Sequence, residues 1–157
     1  MPVIEFESTV TAPLAKVWAF HQDIQSLVAL SPPGDEVKIE SADAPLREGS
    51  RIFIDAKGPL GRHMKWIARI VEQREPHAVV FGEEARFVDV QERGPFASWR
   101  HEHEFEHVDD KTTRVRDRIT YRVPLGPIGW LADLFFVRRK LARMFRFRQE
   151  QLRRLLE

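Results

Sequence analysis

Two histidines, His101 and His103, lie in the stretch Trp99-Arg100-His101-Glu102-His103-Glu104-Phe105-Glu106-His107, where aromatic or imidazole side chains alternate with charged ones. Imidazole titrates near neutral pH and can donate, accept or ligate, so such a pair suits proton transfer or the anchoring of a polar group. Strict alternation predicts a β-strand, because successive side chains of a strand point to opposite faces. Arg100, Glu102, Glu104 and Glu106 must face water, since burying so many charges is prohibitive. Trp99, His101, His103 and Phe105 then face an interior that is polar as well as oily, which suits a pocket better than a plain core.

The next alternating stretch supplies a partner. Within residues 113–123, Val115, Asp117, Ile119, Tyr121 and Val123 share one face, and the apolar members carry Asp117 inward. Centring the intervening turn on Asp110 sets His103 opposite Asp117, Phe105 opposite Val115 and Trp99 opposite Tyr121. The outer faces then match Glu104 with Arg116 and Glu102 with Arg118, a favourable cross-strand pairing. A slip that preserves face parity sets His101 opposite Asp117 instead. In either register an interior carboxylate meets an interior imidazole, and each favours the charged form of the other.

Three uses fit that pair: a structural ion pair locking the hairpin, an anchor for the polar groups of a mostly apolar ligand, or general acid–base catalysis. The anchor set would be His101, His103, Asp117 and Tyr121. No metal is expected, because the spacing fixes no third ligand beside His101 and His103, and His63 and His107 are only weakly placed nearby.

The elements that must position these residues follow from periodicity. Residues 3–10 alternate as a first strand. Thr11 can cap the helix that follows, with Pro13 in its first turn, and Leu14, Val17, Trp18 and Phe20–His21 form its stripe. Ile24, Leu27, Val28 and Leu30 mark a second short helix, stopped by Ser31-Pro32-Pro33-Gly34. Strands are then expected at about 36–42, 50–57, 62–74, 78–83, 86–92, 98–108 and 113–123, with turns at Gly58-Pro59-Leu60-Gly61 and Asp109-Asp110-Lys111. Which face of 86–92 is inward is ambiguous: Phe87 argues for the side carrying Asp89, Val88 and Val90 against it. After Pro124-Leu125-Gly126-Pro127 one long helix runs to the C-terminus. Ile128, Leu131, Phe135, Leu141, Phe145, Leu152 and Leu155–Leu156 are its apolar stripe. About 29 residues span roughly 40 Å, enough to cover a sheet with one buried face. The expected architecture is α+β, an antiparallel sheet curled around that helix in a helix-grip arrangement. Leu27, Trp66, Phe87, Trp99 and Phe135 are candidate walls of the enclosed space, and the loop around Ser31–Gly34 is its expected entrance.

Composition narrows the function classes. The chain has 157 residues, 43% apolar and 31% charged, with a net charge of +1, which fits one domain spanning 1–157 with an ordinary core. A near-neutral charge makes no demand for nucleic acid. The absence of cysteine excludes disulfides, thiol catalysis and thiolate metal sites. The N-terminus lacks the basic and apolar regions of a signal peptide, and no segment has the roughly 18–20 apolar residues of a membrane span, so a cytoplasmic location is expected. Serine-hydrolase elbows, phosphate-binding glycine loops and nucleotide fingerprints are absent, and no cofactor is expected. Charge is uneven, because Arg138, Arg139, Lys140, Arg143, Arg146, Arg148, Arg153 and Arg154 face only Glu150 and Glu157 near the C-terminus. Residues 138–154 thus offer a basic face to an acidic partner or an anionic membrane, unless it pairs with the chain's own carboxylates. Phe135, Phe136, Phe145 and Phe147 fall on more than one side of the helix, so a homodimer is as open as a monomer.

Several of these features together resemble the START/Bet v 1-like superfamily, also called SRPBCC, which includes polyketide cyclases and lipid-transfer domains. They are Thr11-Ala12-Pro13 followed by Val17-Trp18-Ala19-Phe20, the run Gly94-Pro95-Phe96…Trp99…His101…His103…Phe105, Asp117…Tyr121, and Pro124-Leu125-Gly126-Pro127. The Trp–His–His pattern is similar to an uncharacterised bacterial subgroup more than to the aromatase/cyclases, and residues 77–85 are extra length beside it. The resemblance covers essentially the whole chain. It implies a curved seven-stranded sheet gripping the C-terminal helix around a hydrophobic cavity, and binding of a lipid, quinone, polyketide or similar apolar molecule. Only some members catalyse reactions, and no catalytic residue of the family maps onto this chain.

Overall fold

The hairpin register expected around Asp110 is the one adopted. In the computed structural model, which describes residues 1–58, 61–77 and 81–157, β6 (Ser98–Asp109) and β7 (Thr112–Arg122) pair antiparallel. His103 faces Asp117, Phe105 faces Val115 and Trp99 faces Tyr121. Outside, Arg116 reaches both Glu104 and Glu7 at 3.1 Å, so the charged face is a lattice of ion pairs across three strands. The remaining strands are β1 (Val3–Val10), β2 (Lys38–Ala42), β3 (Arg51–Lys57), β4 (His63–Arg74) and β5 (Glu84–Arg93). They form one antiparallel seven-stranded sheet in the order β1-β7-β6-β5-β4-β3-β2. The strand expected at 78–83 falls partly on residues outside those described, and its described part, Phe81–Glu83, is a turn and an irregular residue. The turn at Gly58–Gly61 also lies partly outside the described residues.

Between β1 and β2 come α1 (Leu14–Gln22), α2 (Gln25–Ala29) and a 3₁₀ turn, Pro33–Asp35. Pro13 itself is the N-cap of α1 and no side chain caps it. Thr11 instead donates its backbone N–H to the Glu157 carboxylate at 3.0 Å, tying the start of α1 to the chain's end. Trp18 of α1 packs edge-on against Phe87 and Phe105, within a buried cluster completed by Val10, Leu14, Leu152 and Leu156.

The C-terminal helix has three consecutive parts: α3 (Gly126–Ala132), a π-helical turn (Asp133–Val137) and α4 (Arg138–Leu156). Its inward residues are Gly129, Asp133, Val137, Leu141 and Phe145, all four apart, followed by Leu152 and Leu156. A stripe repeating every four residues drifts around a straight α-helix of 3.6 residues per turn. The wider π turn takes up that drift and keeps the stripe on the sheet. This is why Ile128, Leu131, Phe135 and Leu155, expected in the stripe, are exposed. Gly129 is needed where α3 meets the strand end, since a Cβ there would lie 1.9 Å from the Pro124 carbonyl oxygen. The sheet gripping this helix is the helix-grip fold.

Candidate functional site

On the concave face, β5, β6 and β7 bring four side chains together. Asp89 is in register with His101, and Asp117 with His103, yet each carboxylate makes its shorter contact diagonally. His101 Nε2 lies 2.7 Å from Asp117 Oδ1, and His103 Nε2 lies 2.8 Å from Asp89 Oδ2. The direct pairs are longer, with 3.9 Å from His101 Nδ1 to Asp89 Oδ2 and 3.4 Å from His103 Nδ1 to Asp117 Oδ1. The ring centroids of His101 and His103 are 3.6 Å apart. Both histidines and Asp117 are buried, and Asp89 is half-buried.

Burial holds the His101 pKa down to about 4, helped by the neighbouring His103 and opposed by Asp117 and Asp89. Burial alone would raise Asp117 and Asp89, but the hydrogen bonds from the imidazoles more than offset it, leaving Asp117 well below the usual carboxylate range and Asp89 below it. His101 is thus a neutral donor to an ionised carboxylate. Nearby on α1, His21 donates Nδ1–H to the Val17 carbonyl at 2.8 Å, and burial followed by repulsion from Arg148 lowers its pKa to about 3.

The cluster is set in an aromatic ladder. Ring centroids follow from Trp66 to Trp99 at 5.2 Å, Trp99 to His101 at 6.2 Å, and His103 to Phe87 at 3.9 Å. Phe145 of α4 closes over His101 at 5.2 Å and stacks on Phe6 at 4.8 Å. Trp66, Phe96, Val137 and Met144 are among the partly buried residues packed against the core that contains Phe145. Tyr121, fully buried, donates its hydroxyl to Asp133 Oδ1 at 2.6 Å, and Arg138 Nε reaches the other oxygen at 3.2 Å. Burial and the Asp133 carboxylate raise the phenol pKa. A separate cavity of about 400 Å³ lies at the start of α3 between Pro2, Val123, Leu125, Trp130 and Asp133, and the histidine cluster does not line it.

A family model described as polyketide cyclase / dehydrase and lipid transport matches residues 1–157. The chain belongs to that family. No curated protein matches it in sequence. Solved structures share the fold of this chain at low identity. Protein Ms6760 from Mycobacterium smegmatis is 20% identical with a TM-score of 0.67, over 98% of this chain and 90% of that one. A START superfamily protein from the same organism is 12% identical at 0.69, over 98% of both chains. The di-domain ARO/CYC BexL of the BE-7585A biosynthetic pathway is 23% identical at 0.66, over 98% of this chain and 46% of that one.

Of the residues singled out by sequence in this family member, the structure joins His101, His103 and Asp117 directly and sets Trp66, Phe87 and Trp99 along the same ladder. Tyr121 lies on the same face but turns its hydroxyl to Asp133. Leu27 is half-buried on α2 and outside both core clusters. Phe135 is 53% exposed on the π turn and is no wall of the cluster, because the phase of the helix places it off the inward stripe. Asp89, left ambiguous by sequence, is the fourth member. Both faces of β5 are apolar: Val88 is fully buried on the outer face, between Glu72 and Glu102 in register, so alternation alone had no polar side to read. Asp133 was missed outright, although its place four residues before Val137 in the stripe was a signal.

Proposed function

We propose that this chain binds a hydrophobic or amphipathic small molecule, of the lipid, quinone or polyketide-like class, between the concave sheet and the C-terminal helix. The observation that carries this reading is a buried His–Asp cluster embedded in an aromatic ladder, in a family whose members include polyketide cyclases and lipid-transport proteins. Trp66, Phe87 and Trp99 would supply apolar contact worth about 25 cal/mol per Å² removed from water. His101, His103, Asp89 and Asp117 would meet the ligand's polar group. A ligand would enter by separating helix from sheet where Trp66, Phe96, Val137 and Met144 are only partly buried. Native mass spectrometry of protein purified from its own host, with extraction of whatever co-purifies, tests the reading. A stoichiometric apolar molecule, retained by the wild type and lost in Trp99→Ala, is expected. A clean mass with no thermal stabilisation by lipid, quinone or polyketide panels would refute it. If a ligand is found, its conversion by the wild type, lost in His101→Ala, would add catalysis; unchanged recovery would leave a carrier.

A second reading has its own observation. Leu125, Ile128, Trp130, Leu131, Leu134, Phe135 and Phe136 are all exposed on α3 and the turns flanking it, and exposed Arg138, Arg139 and Arg143 follow directly. Contiguous exposed apolar surface marks an interaction site, and aromatic residues beside arginines match the boundary of an anionic bilayer. No described helix is long and apolar enough to cross a membrane. We propose that this face docks on an anionic membrane surface, as a site for ligand exchange. Sedimentation with vesicles of phosphatidylglycerol and phosphatidylcholine should capture the protein, less so at high salt and less still for Trp130→Ser with Phe136→Ser. Failure to sediment, or a dimer in solution that these substitutions dissociate, would overturn it.

A further inference from the structure

We propose that Asp89, His101 and His103 form a binding site for a first-row divalent transition ion such as Zn²⁺, with Asp117 orienting both imidazoles from behind. One carboxylate oxygen and one nitrogen from each ring lie within 4.8 Å of one another. Metal bonds of about 2.0–2.2 Å to nitrogen and oxygen set ligand atoms roughly 3–3.5 Å apart. The separations from Asp89 Oδ2, 2.8 Å to His103 Nε2 and 3.9 Å to His101 Nδ1, bracket that spacing, and the two imidazoles close the triangle from within 4.8 Å of each other. Two histidines and one carboxylate are a recognised ligand set for such ions, and they leave coordination positions for an exogenous oxygen donor.

The far side of the rings discriminates a metal site from a simple ion-pair network. Each imidazole turns one nitrogen to Asp89 and its other nitrogen to Asp117. A ligating histidine almost always donates its remaining N–H to a carboxylate or carbonyl, which fixes its tautomer and aim. His101 already does this, with Nε2 on Asp117 and Nδ1 toward Asp89. His103 does not. While Nε2 donates to Asp89, its buried Nδ1 has no hydrogen-bond partner and faces Asp117 Oδ1 from 3.4 Å. With an ion on Nε2, the proton moves to Nδ1 and gains Asp117 as its acceptor, which satisfies the orphaned atom.

This inference does not depend on an organic ligand, because the test uses the ion alone. Chelator-treated full-length protein is titrated with Zn²⁺ by calorimetry and with Co²⁺ by visible absorption. One equivalent should bind per chain, and Co²⁺ should show the ligand-field bands of a nitrogen–oxygen site. Asp117→Asn should weaken binding about 10–100-fold, whereas His63→Ala, at an exposed position on β4, should leave it unchanged. Should His103→Ala or Asp89→Asn fail to fold, the imidazole ¹⁵N resonances of the wild type decide. Those of His101 and His103 should move on adding Zn²⁺, and those of His63 and His77 should not. Absence of a stoichiometric site, binding indifferent to Asp117→Asn, or shifts confined to His63 would each overturn the proposal.

Discussion

Lowering the pH from 6.5 to 5 should destabilise the metal-free protein through two specific histidines. The folded state holds His21 near pKa 3 and His101 near pKa 4, both from an ordinary value of 6.5. Because these folded values are depressed, the unfolded chain takes up protons first, and stability falls as the pH drops below 6.5 toward the folded pKa. At pH 5 each site is almost fully protonated when unfolded and largely neutral when folded. Integrating the linkage from 6.5 to 5 gives about 1.6 kcal/mol per histidine, or about 3 kcal/mol for the pair. The cluster carboxylates Asp89 and Asp117 also have lowered values, but their contribution is lost only as the pH falls below their unfolded value, beneath this window. Arg148, His103 and Asp117 are the charged or titratable neighbours acting on His21, and none is altered by replacing it. Urea unfolding of the wild type and of His21→Gln at the two pH values measures the effect. The variant should lose about half of the pH dependence whatever its absolute stability. A wild-type stability that is flat or rises on acidification, or a slope that His21→Gln leaves intact, would refute the burial argument for these imidazoles.

Three further outcomes follow from packing and hydrogen bonding. Tyr121→Phe removes the 2.6 Å hydrogen bond to buried Asp133, a bond to a charged group, and should lower stability by about 1.5–3 kcal/mol with little change in circular dichroism; thermal denaturation checks it. Phe145→Ala deletes a ring 2% exposed that stacks on Phe6 and covers His101. It should cost about 3–5 kcal/mol in denaturant unfolding and loosen the helix over the cluster. Gly129→Ala tests the close approach at the start of α3. Helix propensity alone favours alanine by about 1 kcal/mol, but the Cβ would meet the Pro124 carbonyl at 1.9 Å, so the midpoint should fall and not rise.

Much of the sheet was legible because its two faces obey different physics. Glu102, Glu104, Arg116 and Arg118 could only be outside, so the inward faces of β6 and β7 followed from alternation; two registers stayed open, and the structure takes the one that sets His103 opposite Asp117. The diagonal geometry was not legible. Which carboxylate oxygen lies 2.7 Å from which ring depends on side-chain torsions that alternation does not constrain. Asp89 stayed ambiguous for a different reason: a strand apolar on both faces carries no periodic signal. The ion pairs among Arg86, Glu72 and Glu102 lie on the outer face that Val88 shares, where a sequence reader expects only polar residues.

The C-terminal helix shows the opposite failure, in which a strong pattern misled. Apolar residues from Ile128 to Phe136 occupy nearly every position, so a three- or four-residue stripe can be drawn through Phe135 or through Val137 with equal ease. The structure chooses the stripe containing a buried aspartate over the one containing phenylalanine. Asp133 is held there by Tyr121 and Arg138, and the π turn that begins at Asp133 sets the phase for Leu141 and Phe145 beyond it. Burying a carboxylate while exposing two adjacent phenylalanines is a poor bargain for a helix that only has to cover a sheet. It becomes intelligible if the outward apolar face has its own partner. The exposed set beside Arg138, Arg139 and Arg143 is therefore a requirement the fold leaves unmet, and the vesicle experiment asks whether a bilayer meets it.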